Sequence, residues 1–322
     1  MKKTLSIISA LLLICAIATG CGGSGDRPSD GTGIDAASDG KIKIVSTIYA
    51  PYDFARAITG GLAELSMLLP PASESHSFEP TPSDIIEIQD CDVFLYIGGE
   101  SDEWVERILE SVDLSSKQVV ELIDCVSPVY EELVEGMEEE EEEEEGEVYD
   151  EHIWTSPVNA GLMATAICEA VKAADPANAE TYDSNTRSYL EKLVSLDAQF
   201  RDIVADAERN TIVFGDRFPF RYFADEYGLD YYAAFPGCST ETEASAATVA
   251  FLIDKVKEEG IPVVFHIELS NEDMADAISE ATGAKPLLLH ACHNISKSDF
   301  EAGTTYLDLM GQNLGALREA LM

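Results

Sequence analysis

Five residues of this 322-residue chain have side chains that titrate near neutral pH and bind transition metals: His76, His152, His266, His290 and His293. Their setting is informative. His76 sits in the Pro- and Ser-rich segment LLPPASESHSFEPTPSD, and His152 closes an acidic stretch in VYDEHIWTSP. His266 ends the apolar run Val263-Val264-Phe265, and His290 ends Leu287-Leu288-Leu289. In open parallel sheets the carboxyl ends of strands face one crevice, so four of the five would line a cleft, two from each half of the chain. Neutral imidazoles in that number suit Zn(II), which takes four ligands tetrahedrally at about 2.0–2.1 Å. The chain has no HExxH, no GxSxG and no phosphate-binding glycine loop, so hydrolytic or nucleotide chemistry has no motif behind it.

The elements that must place these residues alternate strand and helix. Strands are expected at Lys41–Thr47, Leu62–Leu69, Asp92–Ile97 and Val119–Leu122, with helices near 52–58, 80–90 and 103–111 between them. A second set of strands follows at 211–214, 229–233, 261–265 and 286–289, interleaved with helices near 218–226, 242–259 and 271–282 and closed by one at 306–321. Helices at 157–174 and 178–209 lie between the sets. The second, at 1.5 Å per residue, would run roughly 45 Å. The fold class is α/β: two lobes with mainly parallel sheets joined by one long rigid backbone helix, the metal site in the interlobe cleft. The expected layout is a signal peptide at 1–20, a tether at 21–40, an N-terminal lobe at 41–177 with an acidic loop at 131–151, the linking helix at 178–209, and a C-terminal lobe at 210–322.

Charge narrows the partners. With 61 Asp and Glu against 20 Lys and Arg the formal charge is -41, which excludes a nucleic-acid binder and a polybasic lipid-binding face. Glu138 to Glu145 is an unbroken run of eight acids, read as a solvated loop that either collects cations or only solubilises. At the N-terminus, Lys2 and Lys3 precede the apolar stretch Leu5–Ala18, too short for an ordinary membrane span. Ala18-Thr19-Gly20-Cys21 resembles a bacterial lipobox, with Cys21 as the lipidated residue, and Gly22–Gly40 reads as a flexible leash. The expected location is therefore the outer face of the cytoplasmic membrane, held by a lipid anchor alone. Of the remaining cysteines, Cys91 and Cys168 sit in apolar helical contexts and read as buried small hydrophobes.

The residues around His76 and His152 bring a family into view. His76 with Ser77-Phe78-Glu79-Pro80 and Pro82-Ser83-Asp84, and Asp150-Glu151-His152-Ile153-Trp154-Thr155-Ser156-Pro157, resemble the first and second ligand motifs of the zinc/manganese-type solute-binding proteins of ABC importers. The high-affinity zinc-uptake binding proteins are the nearest in pattern, and the likeness covers nearly all of the chain beyond the leader. It implies a monomeric, non-enzymatic protein that captures Zn(II) and delivers it to a cognate permease. Manganese or another divalent metal is the alternative cargo, and a zinc hydrolase using Glu268 or Asp216 as base is a more distant reading. A chelate binder would look to Arg217, Arg221, Phe218, Phe220 and Tyr222. The second lobe departs from the family: where a third His is usual stands Gly215-Asp216-Arg217, and where a final Asp is usual stands His290. The expected ligand set is His76, His152, His266 and His290. His293 would join on a helical turn with His290, Glu268 would orient an imidazole, and Asp216 is a further candidate.

Overall fold

Two parallel sheets carry the functional loops at their carboxyl ends. The computed structural model describes residues 40–74, 78–137, 148–239 and 243–322. The first sheet has the order β2-β1-β3-β4, formed by β1 (Lys43–Ser46), β2 (Glu64–Met67), β3 (Val93–Tyr96) and β4 (Gln118–Glu121), every pair parallel. β3 is VFLY and buried at all four positions, as a strand covered on both faces must be. Helices α1 (Tyr49–Thr59), α2 (Pro82–Asp90) and α3 (Glu103–Leu109) make the crossovers. α2 begins at a capping box in which Thr81 and Asp84 satisfy each other's backbone N–H groups, with Pro82 at the first helical position.

The second sheet repeats this plan. β5 (Thr211–Val213) pairs with β7 (Asp230–Tyr232), and β9 (Val263–His266) with β10 (Lys285–Leu288), all in parallel. A parallel bridge between Phe214 and Phe265 joins the two pairs, giving the order β7-β5-β9-β10. A two-residue pair, β6 (Arg217–Phe218) with β8 (Phe235–Pro236), lies beyond the ends of β5 and β7. α6 (Arg221–Tyr227), α7 (Ala246–Glu259), α8 (Asp273–Thr282), α9 (Lys297–Ala302) and α10 (Tyr306–Leu321) complete this half. The helix expected from Phe218 thus starts three residues later, because Arg217 and Phe218 are drawn into β6 and Pro219 follows. α9 was not foreseen; at six residues it shows too little period to read.

Between the sheets run α4 (Pro157–Ala174) and α5 (Ala179–Ala205). α4 starts where Ser156 accepts the Asn159 N–H and Pro157 supplies a fixed φ, so the residues just before it, including His152, are held in a buried turn. α5 buries Tyr182, Thr186, Tyr189, Leu193, Leu196, Phe200 and Ile203. These alternate spacings of four and three place one continuous stripe along about 40 Å of helix. The stripe joins a core that runs unbroken from Ile44 and Trp154 to Phe214 and Leu321. Cys91 and Cys168 are buried thiols, as expected, and no disulfide occurs among the described residues.

The aromatic part of this stripe generates a test. Phe200 is fully buried and meets Phe223 edge-on at 4.9 Å and Tyr227 at 5.4 Å, tying α5 to α6. Phe200→Ala is expected to cost about 3–5 kcal/mol in chemical denaturation, by lost transfer energy plus a cavity, while metal stoichiometry at 25 °C stays unchanged.

Candidate metal centre

His152 and His293 face each other. Their ring centroids are 5.3 Å apart at 81°, and Trp154 packs against both, 5.4 Å from His152 and 4.9 Å from His293. Both imidazoles line a small cavity with Ser73, Glu74, Arg217, Gly237, Glu268 and Asn294. One wall therefore comes from the first half of the chain and the other from the loops that follow the strands of the second sheet.

His152 is completely buried and its orientation is fixed by Asp150. One carboxylate oxygen of Asp150 accepts the His152 backbone N–H at 2.8 Å and the Nδ1 proton at 3.1 Å. That places the proton on Nδ1 and the electron pair on Nε2, the arrangement in which a carboxylate orients a metal-binding imidazole. Burial disfavours charging this ring, yet Asp150, Glu151 and Glu131 together hold it above the usual imidazole range. Gly237 is required behind it, since a Cβ there would stand 3.0 Å from His152 Cε1. Glu151 accepts the backbone N–H and hydroxyl of Ser101, and burial pushes its carboxyl up to about 7.

On the other wall, Glu268 organises a turn. Its two oxygens accept the backbone N–H groups of Ala291 at 2.7 Å and His293 at 3.0 Å. Burial pushes this carboxyl up to about 7 even though backbone N–H groups favour its charged form. The turn is sharp because Cys292 adopts φ 58°, a left-handed conformation uncommon for a residue with a side chain. Leu269, which lines the cavity, and Ala72, which precedes its wall residue Ser73, are two more such residues at φ 65° and 67°. Asn294 then reaches across: its amide donates to the carbonyls of Pro70 and Ser73, and the Ile295 carbonyl accepts from Ala72. The chain leading to His76 is thereby fastened to the chain bearing His293. Trp154 adds a second tie by donating its Nε1 proton to the Ala291 carbonyl at 2.7 Å.

The expected ligand set is therefore redistributed. His76 lies outside the described residues. His152 lies in the cavity, but His266 and His290 line a neighbouring one, on the other side of Ile267 and Glu268. A helical turn bringing His290 and His293 to one ion does not form: the left-handed Cys292 turns the two rings into different cavities. Asp216 does not line the His152 cavity. Its carboxylate accepts the N–H groups of Arg217 and Ile267, so it fastens the end of β5 to the end of β9. Glu268 holds the backbone of the His293 turn instead of an imidazole N–H.

Glu74 and Cys238 went unnoticed in the sequence, and Arg217 has a role other than anchoring a chelate. Arg217 makes a two-pronged ion pair with Glu74 at 3.1 and 3.2 Å and donates to the Ser239 carbonyl. Glu74 is two residues before His76, and that closeness was the available signal. Cys238 places its sulfur within 4.8 Å of ligand atoms of Glu151 and His152. Burial, reinforced by Glu151, Glu131 and Asp150, keeps that thiol protonated.

The Asp150–His152 pair can be tested directly. Asp150→Asn preserves shape but replaces the charged acceptor, and divalent-metal affinity should fall 10–100-fold in a competition titration with a chromophoric chelator. Circular dichroism should remain that of the parent.

Residues 44–320 match the family described as zinc-uptake complex component A, periplasmic. The chain is 33% identical over 324 residues to the high-affinity zinc uptake system protein ZnuA of Bacillus subtilis, covering 99% of this chain and 97% of that protein. It is 32% identical over 287 residues to the zinc-binding lipoprotein AdcA of Streptococcus pneumoniae, spanning 88% of this chain and 56% of AdcA. Among solved structures, the metal-dependent lipoprotein YcdH of B. subtilis superposes with TM-score 0.74 at 31% identity, over 87% of this chain and 99% of that one. The Zn(II)-bound ZnuA-like domain of S. pneumoniae AdcA superposes with TM-score 0.73 at 29% identity, over 88% and 99%. With two parallel sheets, a long connecting helix and a histidine pair facing each other across a cavity, the chain belongs to the ZnuA family of zinc-uptake solute-binding proteins.

Proposed function

We infer that this chain captures Zn(II) outside the cytoplasmic membrane and hands it to the permease of an ABC importer, with no chemical turnover of its own. The observation that supports the inner site is the His152–His293 pair, ring centroids 5.3 Å apart, in a cavity whose wall includes Glu268. The ligand set we propose is His76, His152 and His293, with Glu268 offering a carboxylate oxygen. Three imidazole nitrogens and one oxygen favour Zn(II) over Mn(II), which prefers oxygen-rich surroundings. Zinc here is cargo. Its departure requires that the ligands separate or take up protons.

Asp150 and Arg217 would act through the ligands, and Glu268 would do so as well as offering its own oxygen. Asp150 fixes the tautomer of His152, Glu268 fixes the turn that presents His293, and the Arg217–Glu74 pair fastens the second lobe to the segment leading to His76. The Arg217 charge lies close to a cation site, and Glu74 offsets it. Lipid attachment at Cys21 and a monomeric state complete the proposal; Cys21 and the Glu138–Glu145 run lie outside the described residues. No described helix is long and apolar enough to cross a membrane.

Substitution and pH test this reading. Zinc affinity of His76→Ala, His152→Ala and His293→Ala should each fall by orders of magnitude in chelator competition; unchanged affinity in all three would overturn the assignment. Protons compete with metal for imidazole, so affinity should be full at pH 8 and fall as the pH drops. Because His152 is held above the ordinary value of about 6.5, the decline should begin above that pH. A flat profile from pH 8 to 5 would contradict a histidine site.

A further inference from the structure

A thiol lies beside His152. Cys238 Sγ, a carboxylate oxygen of Glu151 and a ring nitrogen of His152 all stand within 4.8 Å of one another. Cys238 belongs to the segment Gly237–Ser239, which follows β8 along the wall of the inner cavity. Gly237 lines that cavity, and the Ser239 carbonyl accepts from Arg217, another wall residue. The segment can run this close because Gly237 has no Cβ: one there would stand 3.0 Å from Cε1 and 3.1 Å from Nδ1 of His152. Glu131 accepts the Cys238 backbone N–H at 2.9 Å and so fixes the residue that bears the sulfur.

The surroundings favour a cation. Three carboxylates attend this thiol and imidazole: Glu131 holds the Cys238 backbone, Asp150 holds the His152 ring, and Glu151 holds Ser101. The second oxygen of Asp150, Oδ2, is completely enclosed and meets no hydrogen-bond donor among the described residues. Arg221 lines the small cavity next to Glu131 and Asp150, but its guanidinium is paired with Glu132 and Asp225. Asp150, Glu151 and His152 are all buried, so negative charge exceeds positive in a place largely closed to water. That excess is costly until a cation joins it. The donor types say which cation: sulfur is a soft ligand that suits Zn(II), whereas Mn(II) prefers oxygen.

We propose that Cys238 is a thiolate ligand to the cation held by His152, and that it turns the site toward thiophilic ions, Zn(II) and Cd(II), and away from Mn(II). This rests on the reading of His152 as a cargo ligand and adds to it the donor that sets selectivity. On one tetrahedral ion, sulfur at about 2.3 Å and nitrogen at about 2.0–2.1 Å stand about 3.6 Å apart, so side-chain rotation of about an ångström closes the pair. The metal–sulfur bond forms as the S–H bond breaks, and the proton is released to water. Sulfur competes with Glu268 for the fourth position. Glu268 is the weaker competitor, because its two oxygens already accept the Ala291 and His293 N–H groups.

The test loads the full-length, metal-free protein with Co(II) and, separately, with Cd(II) and Mn(II). Cobalt bound by a thiolate shows a strong near-ultraviolet charge-transfer band that imidazole and carboxylate ligands do not produce. The parent should show that band, Cys238→Ser should lose it, and Cys125→Ser should keep it. Cys238→Ser should also bind Cd(II) more than about tenfold more weakly, while its Mn(II) affinity changes by less than about threefold. If Cys238→Ser fails to fold, cadmium NMR of the loaded parent reads sulfur ligation directly, and a resonance in the range of purely nitrogen and oxygen ligands overturns the proposal. A cobalt-loaded parent without the band overturns it too, as does a band that survives in Cys238→Ser. The two readings fail separately. If His152→Ala loses zinc but the parent has no thiolate band, Cys238 alone is misassigned. If His152→Ala binds zinc as the parent does, His152 is not a ligand and the proposal falls with it.

Discussion

One half-buried carboxylate sets the layout of the metal-binding face. Glu268 leaves the end of β9 and collects the backbone N–H groups of Ala291 and His293. An acid so placed is costly to charge, and those N–H groups are what make its charge tolerable. Their convergence on one side chain holds the chain after β10 in the turn where Cys292 is left-handed. From that turn follow the seat of His293 opposite His152, the separate seat of His290 beside His266, and the reach of Asn294 to the first half of the molecule. Remove the carboxylate and each of these loses its geometric reference.

Much of the frame is legible in the sequence because it depends on local pattern. All eight principal strands appear where runs of four to eight residues stand between helical periods, and α4 and α10 match the expected ranges at both ends. The long helix is readable from the spacing of Tyr182, Tyr189, Leu193, Leu196 and Phe200. His152 was legible because its neighbours, Asp150 through Pro157, form a dense local motif. The division of the other histidines was not. It is decided by the dihedral of one residue, Cys292, and by hydrogen bonds from Glu268 across more than twenty positions, neither of which leaves a periodic trace. Asp216 misled for a related reason: it is a carboxylate just past a strand end, but its oxygens are committed to backbone N–H groups brought together only by the sheet.

The electrostatics divide in the same way as the sequence. The chain carries a formal charge of -41, and in the site the His152 imidazole is held by the Asp150 carboxylate. The negative field favours the approach of a cation, while the retained ion is chosen by donor atoms at short range. Arg217 is the exception, a cationic group in the cavity wall. Its pairing with Glu74 turns a group that would repel the cargo into a fastening between the two halves.

The placement of the two tryptophans has a further consequence. Trp154 lies against both imidazoles of the inner pair, and Trp104 packs edge-on against Phe78, two residues beyond His76, at 5.8 Å. The chain has no third indole. A protonated imidazole quenches indole emission on contact, and a metal-bound one changes the electric field at the ring. The protein thus carries its own optical gauge, in which one emitter views the proton and metal balance of the histidine pair and the other views the segment that follows His76.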